Sequence, residues 1–395
     1  MGGKVLVTAA GVLLGGAAAW AQDQQLGART KAMGGSYTAF EDDPVSIWLN
    51  PAGIASQPDQ ASLAYQTYTA YPVQKERGPG NTVVFSEEAE TVLADPEIIP
   101  SFMGLVFQLG SPESPLAIGI CYARPYLLNY AMDEIVSPTQ TTFQPDNEVE
   151  QALSRFRVAL AKDFRFRKPE EGGFLTHLSL GLGLDVGYER WRFRTPASDT
   201  TDTSAAFGFG AGILVGLYDN TDSLRVNVGA AYQSAIEYKF SVSPGLQPAF
   251  DMPEQLNVGM TFYLLHNFPL RFTFDLQFIR WEDTAADPFF GNQPKFEDVT
   301  NYSVGAEYRI PAGKVNLYPR LGYRRFDAPW EDEDNLPATG GFKLVLDTDG
   351  EAFNIFTFGL GISWTTEGGK VRAVDLAADV GGDAPNVALG YTHEF

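Results

Sequence analysis

The stretch "HLSLGLGLDVGYERW", His177 to Trp191, decides how this chain folds. Leu178, Leu180, Leu182, Leu184 and Val186 fall on one face of an extended segment. Ser179, Gly181, Gly183, Asp185 and Gly187 fall on the other. Side chains of a strand alternate between two faces, so a period of two marks a strand. "RFTFDLQF" repeats the pattern, with Phe272, Phe274, Leu276 and Phe278 opposite Arg271, Thr273, Asp275 and Gln277. "YSVGAEYRI" repeats it again, with Tyr302, Val304, Ala306, Tyr308 and Ile310 opposite Ser303, Gly305, Glu307 and Arg309. The apolar face is rich in aromatics. The polar face is rich in Gly, Ser and charge.

About fourteen such segments follow one another between Ala61 and Asn386. Most run for about 10 to 18 residues, longer than the roughly five or six of soluble sheets. An even count suits a bacterial outer-membrane barrel. The links between segments alternate in length. Val73–Ile98, Met132–Glu148, Thr195–Ser204, Ser241–Met252, Asp283–Lys295 and Asp327–Glu351 are long. "GSPESP", "DNTDS", "LLHNFP", "IPAG" and "TTEGG" are short. The moderate link Arg165–Gly173 and the short "GGDAP" break the rule. Alternation places long loops at one end of a barrel and short turns at the other. Hydrocarbon cannot satisfy free backbone N–H or C=O groups, so a spanning sheet must close on itself. Trp191, Trp281, Trp330 and Trp364 lie near expected strand ends, where interfacial girdles place amphipathic rings. The chain ends "NVALGYTHEF", an alternating strand with a terminal aromatic. Such an ending suits recognition by the barrel-insertion machinery of an outer membrane.

The N-terminus gives an address. Lys4 precedes the apolar run "VLVTAAGVLLGGAAA", and Ala19–Ala21 offers a small-x-small cleavage site. Residues 1–21 therefore read as a secretory signal peptide. Three regions are expected: the signal peptide at 1–21, an N-terminal segment at 22–56, and the barrel at 57–395.

Composition excludes several function classes. The net charge of −21 argues against nucleic acid, which needs clustered Lys and Arg. A single cysteine, Cys121, excludes an internal disulfide framework. The three histidines, His177, His266 and His393, are far apart, and no nucleophile elbow, zinc spacing, phosphate loop or dinucleotide fingerprint stands in a convincing context. No catalytic residue, metal site or cofactor is expected. With 40 glycines and 13% aromatics beside a slightly negative mean hydropathy, half of each strand suits lipid and half suits water.

The segment at 22–56 is different. It has small residues, turn formers and one short apolar stretch, so it cannot be a lipid-facing strand. It can fold inside a lumen, where water and wall residues satisfy its backbone. A general diffusion porin would have no use for it.

"LGARTKAMGGSYTAFEDDPVSIWLNPAGIAS", Leu26 to Ser56, resembles the start of the FadL family of outer-membrane long-chain fatty acid and hydrocarbon transporters. The shared pattern is a Gly-rich run (Gly34, Gly35), a pair of acids (Asp42, Asp43), a short apolar stretch, then Asn50, Pro51, Ala52 and Gly53. "VNVGAAYQSAIEYKF", "MPEQLNVGMTFYLLHNFPLRFTFDLQFIRWED" and "YPRLGYRRFDAPWEDEDNLP" resemble later parts of the same family. The resemblance implies an all-β, fourteen-stranded transmembrane antiparallel barrel in the bacterial outer membrane, with an N-terminal hatch in its lumen. It implies passive uptake of a hydrophobic small molecule by loop capture, hatch movement and lateral release into lipid. The opening also resembles PorV-like barrels, which serve protein secretion and surface attachment, and that alternative stands beside the first. Candidate hatch residues are Asp42, Asp43, Asn50, Pro51, Ala52 and Gly53. Candidate ligand contacts are Phe85, Val92 and Ile98 in the first long loop. By alternation Arg157, Arg225, Arg271 and Arg320 face inward, where a guanidinium suits either a ligand carboxylate or inward acids such as Asp185, Asp275 and Glu307.

Overall fold

The computed structural model describes residues 26–40, 42–69, 100–111, 114–132, 135–137, 140–143, 147–167, 171–195, 198–220, 223–239, 251–264, 269–282, 297–327, 353–380 and 386–395, with short pieces at 77–78, 82–83 and 91–93. The expected signal peptide lies outside them.

Fourteen long strands follow in chain order. They are β1 Gln60–Thr69, β2 Phe102–Gln108, β3 Leu116–Met132, β4 Asn147–Arg165, β5 Gly173–Thr195, β6 Ser198–Asn220 and β7 Leu224–Gln233. They continue as β8 Glu254–Leu264, β9 Leu270–Arg280, β10 Val299–Tyr308, β11 Val315–Phe326, β12 Phe353–Thr365, β13 Val371–Val380 and β14 Val387–Glu394. Each pairs antiparallel with the next, and β14 pairs with β1, so the sheet has no free edge strand. Apart from β6, which starts earlier, the strands begin close to where the period-two segments place them.

Burial is inverted relative to a soluble protein. On β5, Leu182 and Leu184 are 68% and 74% exposed, while Asp185 and Glu189 are buried. On β6, Phe207 is 83% exposed, and Ser204 is buried. The aliphatic and aromatic face therefore points away from the barrel, and the Gly, Ser and acid face points in. Only a hydrocarbon surround makes such an exterior favourable. Leu184→Arg is expected to destabilise the barrel by about 2–4 kcal/mol at mid-membrane depth. Reversible denaturant unfolding in lipid vesicles measures it. No change would show that this face does not meet lipid.

Two details depart from the sequence reading. The expected long link Thr195–Ser204 is mostly strand, because β6 begins at Ser198. Its alternating Thr and Asp residues keep the ladder going, from Thr195↔Ser198 down to Gly173↔Asp219. Trp281 is buried rather than part of an outward girdle. It continues the inward row that includes Ile279. Trp364 does lie on the outward face, beside Ile362 at the end of β12, while the Trp191 side chain and Trp330 lie outside the described residues. Other outward rings near strand ends include Tyr188 at 42% exposure and a Tyr302–Tyr323–Phe356 row.

One ladder is irregular. The register of β3 against β4 shifts between Ala123 and Tyr126, where Arg124 and Pro125 stand. Proline has no N–H for a ladder and is confined to bulges or edges. The β2–β3 ladder ends at Phe102↔Ala123, with one further bond from Arg124 N to Ser101 O. Among the described residues, no strand pairs with that edge of β3 above Ala123, although β3 runs on to Met132.

Candidate functional site: a plugged lumen

The chain from Leu26 to Gln57 is almost wholly buried and meets strands around the circumference. Pro44 reaches Gly104 of β2, and Ile47 and Ile54 reach Gly119 of β3. Ala52 lies on Gly181 of β5, and Asn50 on Gly212 of β6. Thr38 lies on Gly229 of β7, Met33 on Gly305 of β10, Gly34 on Gly322 of β11 and Ala32 on Gly359 of β12. A segment that touches a closed barrel on so many sides lies within it. The fit is close. A Cβ at Gly181 would lie 2.3 Å from Ala52 N, and one at Gly229 would lie 2.4 Å from Thr38 O. The inward glycines are the surface on which the plug backbone rests.

The plug has little regular structure. A five-residue helix, Ala28–Ala32, is followed by turns, a four-residue helix Ser46–Leu49, and a 3₁₀ turn Pro51–Ile54. The Asn-Pro-Ala-Gly block builds that last turn. Asn50 Oδ1 accepts from Ala52 N at 3.1 Å, capping it, and Pro51 takes the first helical position, where no N–H is needed. Asn50 Nδ2 donates to Thr38 O of the plug at 2.7 Å and to Ile213 O of β6 at 3.1 Å. A Cβ at Gly53 would lie 2.4 Å from Phe40 O. Asn50→Ala removes the cap and leaves two carbonyls short of a donor. The plug should lose about 1–3 kcal/mol of local stability. Hydrogen exchange across 44–57 should accelerate while the strand ladders keep their protection. Unchanged exchange would show that Asn50 does not hold the turn.

One side of the lumen is ionic. Glu307 of β10 receives three guanidiniums: Arg29 of the plug at 3.0 Å, Arg271 of β9 at 3.3 Å and Arg320 of β11 at 2.6 Å. Arg320 also reaches Asp375 of β13 at 2.5 Å. Asp42 of the plug accepts from Arg271 at 2.9 Å and from Arg29 at 3.2 Å. Lys31 Nζ, fully buried, lies 2.6 Å from Asp379. Asp275 of β9 accepts Tyr37 N, Thr38 N and Thr38 Oγ1 at 2.7–2.8 Å. Rings interleave with the cations. Arg225 lies 4.0 Å from the Tyr263 ring centroid, Arg271 4.6 Å from the same ring, and Arg271 4.8 Å from Phe40. Burial raises the Asp42 carboxyl, but Arg271 and Arg29 outweigh it and hold it below the usual carboxylate range. At Asp43 burial wins over Arg29, and the carboxyl is raised. Its Oδ2 accepts from Tyr37 OH.

The other side is apolar. Val45, Ile47, Trp48, Leu49 and Ile54 of the plug form one buried cluster with Ala64, Phe102, Val106, Ala117, Cys121, Ala123, Ala159 and Ala161 of β1–β4. Arg157 of β4 spans the boundary. It pairs with Asp185 through two bonds at 2.6 and 2.8 Å, and its Nη1 donates to Trp48 O at 2.6 Å.

The sequence-predicted site residues fall into three groups. Asp42, Asp43, Asn50, Pro51, Ala52 and Gly53 all lie in the plug. Arg157, Arg225, Arg271 and Arg320 all lie on the inner wall, and each takes a partner within the protein: Asp185, the Tyr263 ring, Asp42 with Glu307, and Glu307 with Asp375. Asp275, expected opposite an arginine, holds plug backbone instead. Phe85 and Ile98 lie outside the described residues, and of Val92 only the backbone is described, in a short strand Thr91–Leu93 on β1. Arg29, Lys31, Asp375 and Asp379 were not singled out in the sequence, nor was the glycine seat. Only the inward alternation of Asp375 and Asp379 signals them.

An even-stranded closed barrel with an apolar exterior and a folded segment filling its lumen is a plugged transmembrane β-barrel. No family model and no curated protein matches the sequence. Solved structures match its fold. The toluene transporter TbuX of Ralstonia pickettii is 14% identical with a TM-score of 0.52, covering 94% of this chain and 99% of that one. A FadL homologue of Pseudomonas aeruginosa is 12% identical with a TM-score of 0.58, covering 94% and 98%. The toluene transporter TodX of Pseudomonas putida is 12% identical with a TM-score of 0.56, also covering 94% and 98%. The chain shares the fold of these barrels.

Proposed function

We propose that this protein carries hydrophobic small molecules passively across a bacterial outer membrane. The extracellular loops capture the ligand, the plug acts as a hatch, and the ligand leaves sideways through the wall into lipid. The hatch comprises residues 22–56, followed by the barrel at 57–395. The observation that carries this reading is a coincidence of place. The apolar side of the plug faces β1–β4, and that is where the β3–β4 ladder shifts register at Arg124–Pro125. An apolar molecule leaving there meets hydrocarbon without crossing the ionic side. No cofactor enters the scheme, since partition into lipid supplies the driving force. The fold neighbours named above as toluene transporters support the substrate class. Outer-membrane lipid and the barrel-insertion machinery are the other partners of this reading.

The test is uptake of radiolabelled toluene and oleate by cells that carry the full chain, against cells that lack it. Faster uptake of either is expected. Equal uptake, together with a protein that copurifies in fixed ratio, would replace transport by the secretion role.

A further inference from the structure

The inner face of β5 and β6 is a trough of glycines. Gly181↔Gly212 and Gly183↔Gly210 are rungs of the ladder, and Gly208 and Gly187 stand just above them. Strand residues without a side chain leave room over the sheet. The plug fills the lower part of the trough, with Ala52 on Gly181 and Asn50 on Gly212, and Arg157 fills the middle, on Gly183 and Gly210. A different segment fills the upper part, toward the end that carries the long links. The chain leaves β7 at Gln233, turns inward, and lays Ile236 on Gly208 and Tyr238 on Gly187. A Cβ at Gly187 would lie 2.3 Å from Tyr238 Oη, and one at Gly208 would lie 2.7 Å from Ile236 Cγ1. Ile236 pairs with Met252 at the approach to β8, and Tyr238 N donates to Asp251 Oδ1 at 2.9 Å. Ile236, Tyr238 and Met252 are buried, while Ala235, Glu237 and Lys239 are exposed. Residues 234–239 and 251–252 thus form a strap on the wall above the plug. Among the described residues, neutral groups tie it to β6: Ser234 N donates to Phe209 O, Phe209 N to Ser234 Oγ and Lys239 N to Ser204 Oγ.

Arg155 of β4 stands beside Gly187 in the ladder, under Tyr238, and is 1% exposed. Its guanidinium lies 5.3 Å from the Trp48 ring centroid, and its Nη1 donates to Gln233 Oε1 at 3.3 Å. Among the described residues it takes no carboxylate, since Asp185 is held by Arg157. Arg155 Nε and Nη2 and the Tyr238 hydroxyl near them are buried with no partner in hydrogen-bond geometry. Buried donors are nearly always satisfied, and one left without a partner or water is costly. We infer that the strap is a second closure of the lumen, separate from the plug, and that Arg155 keeps it poised to open. Lifted, the strap uncovers the upper trough, a path free of side chains from the long-link end down toward Arg157 and Trp48. The closed state bears the orphaned donors, and the open state does not, because water reaches them. Arg155 is therefore a positioning residue that acts through the strap. The purpose of the strap, as an entry gate, rests on the transport reading above; its opening and closing do not.

Arg155→Met tests the inference without any ligand. Methionine fills the space and keeps an apolar contact with the Trp48 ring but carries no donor. Amide exchange across 234–239 is expected to slow by about tenfold relative to the unmodified barrel. Uptake of radiolabelled toluene by cells that carry the variant is expected to fall with it. A guanidinium that merely supports the strap would give faster exchange when removed. Faster or unchanged exchange would overturn the inference. A pin gives the second reading. In a Cys121→Ala background, Ile236→Cys with Gly208→Cys ties the strap to β6, because a Cβ at Gly208 meets Ile236 Cγ1. The oxidised link should abolish toluene uptake, and a reducing agent should restore it, which also shows that the substituted barrel is folded. Undiminished uptake with the link formed would make the strap a fixed part of the wall and overturn the gate while leaving transport intact. Absence of uptake by the unmodified protein would remove the transport reading, while slower exchange in Arg155→Met would still uphold the strap as a closure that Arg155 keeps poised.

Discussion

Glu307→Ala will unseat the plug. The side chain is 4% exposed and is the shared anion of Arg29, Arg271 and Arg320. Asp42, Asp43 and Asp375 are the other carboxyl groups of the cluster, and none of them touches all three cations. Removal of Glu307 takes away the one anion that holds Arg29, Arg271 and Arg320 together inside the lumen. Stripping one member from a buried ionic cluster costs about 3–5 kcal/mol, because the remaining charge is left uncompensated. The strand ladders do not depend on Glu307, so the barrel stays closed as a sheet and the loss falls on the plug. Hydrogen exchange across 26–43 should rise sharply. In planar bilayers the variant should conduct ions where the native barrel is shut. Glu254→Ala is the control. Its pair with Arg280 is long, at 3.6 Å, and its members are 35% and 59% exposed, so about 1 kcal/mol or less is at stake. A Glu307→Ala variant as closed and as protected as the Glu254→Ala variant would show that the ion cluster does not hold the plug.

The barrel was legible because lipid enforces a rule at every outward position. Leu180, Leu182, Leu184 and Val186 could not be interrupted by charge without a cost, so the alternation runs clean through that stretch of β5. The inner face obeys no such uniform rule. Arg29 meets Glu307 across 278 residues of sequence, and Lys31 meets Asp379 across 348. Nothing local to Arg29 distinguishes it from a solvated helix residue. Alternation places Arg271 and Arg320 inside but cannot say whether their partner is a ligand, a wall acid or a plug acid. Both resolve to the ion cluster only when strands far apart in sequence are closed into a ring. The plug is the converse case. Its Asn-Pro-Ala-Gly turn is local chemistry and reads directly, with Asn50 as the cap. The division at Asp43 into a charged half and an uncharged half was also present in the sequence, but it acquires meaning only beside an ionic wall and an apolar one. Thr195–Ser204 misled because Thr, Asp and Ser are common in turns, and they are equally at home on a strand pair that rises beyond the apolar band.

Gly34→Ala should be among the most damaging single-methyl changes in the chain, and Gly313→Ala among the mildest. The two glycines share a backbone conformation, with φ of +68° and +69°. In that region an L side chain costs about 1–2 kcal/mol at either site. Their surroundings differ. A Cβ at Gly313, in the short turn before β11, meets nothing within 4 Å. A Cβ at Gly34 meets Tyr323 O at 2.8 Å, Tyr323 N at 2.9 Å and Val304 O at 2.9 Å. All three are backbone atoms of paired strands, held by the β10–β11 ladder at Val304↔Tyr323. No side chain can swing aside to make room. The wall answers in kind, since a Cβ at Gly322 would lie 2.2 Å from Gly34 N. Plug and wall are therefore seated backbone to backbone, and overpacking adds about 1–3 kcal/mol to the conformational cost. Because the ladder is the stiffer partner, the plug is what moves. Gly34→Ala is expected to give faster exchange across 26–40 and a leak conductance, with the barrel's own unfolding midpoint little changed. Gly313→Ala should lower stability by the conformational cost alone and leave the lumen shut. Equal effects from the two substitutions would mean that backbone strain, and not the glycine seat, sets the position of the plug.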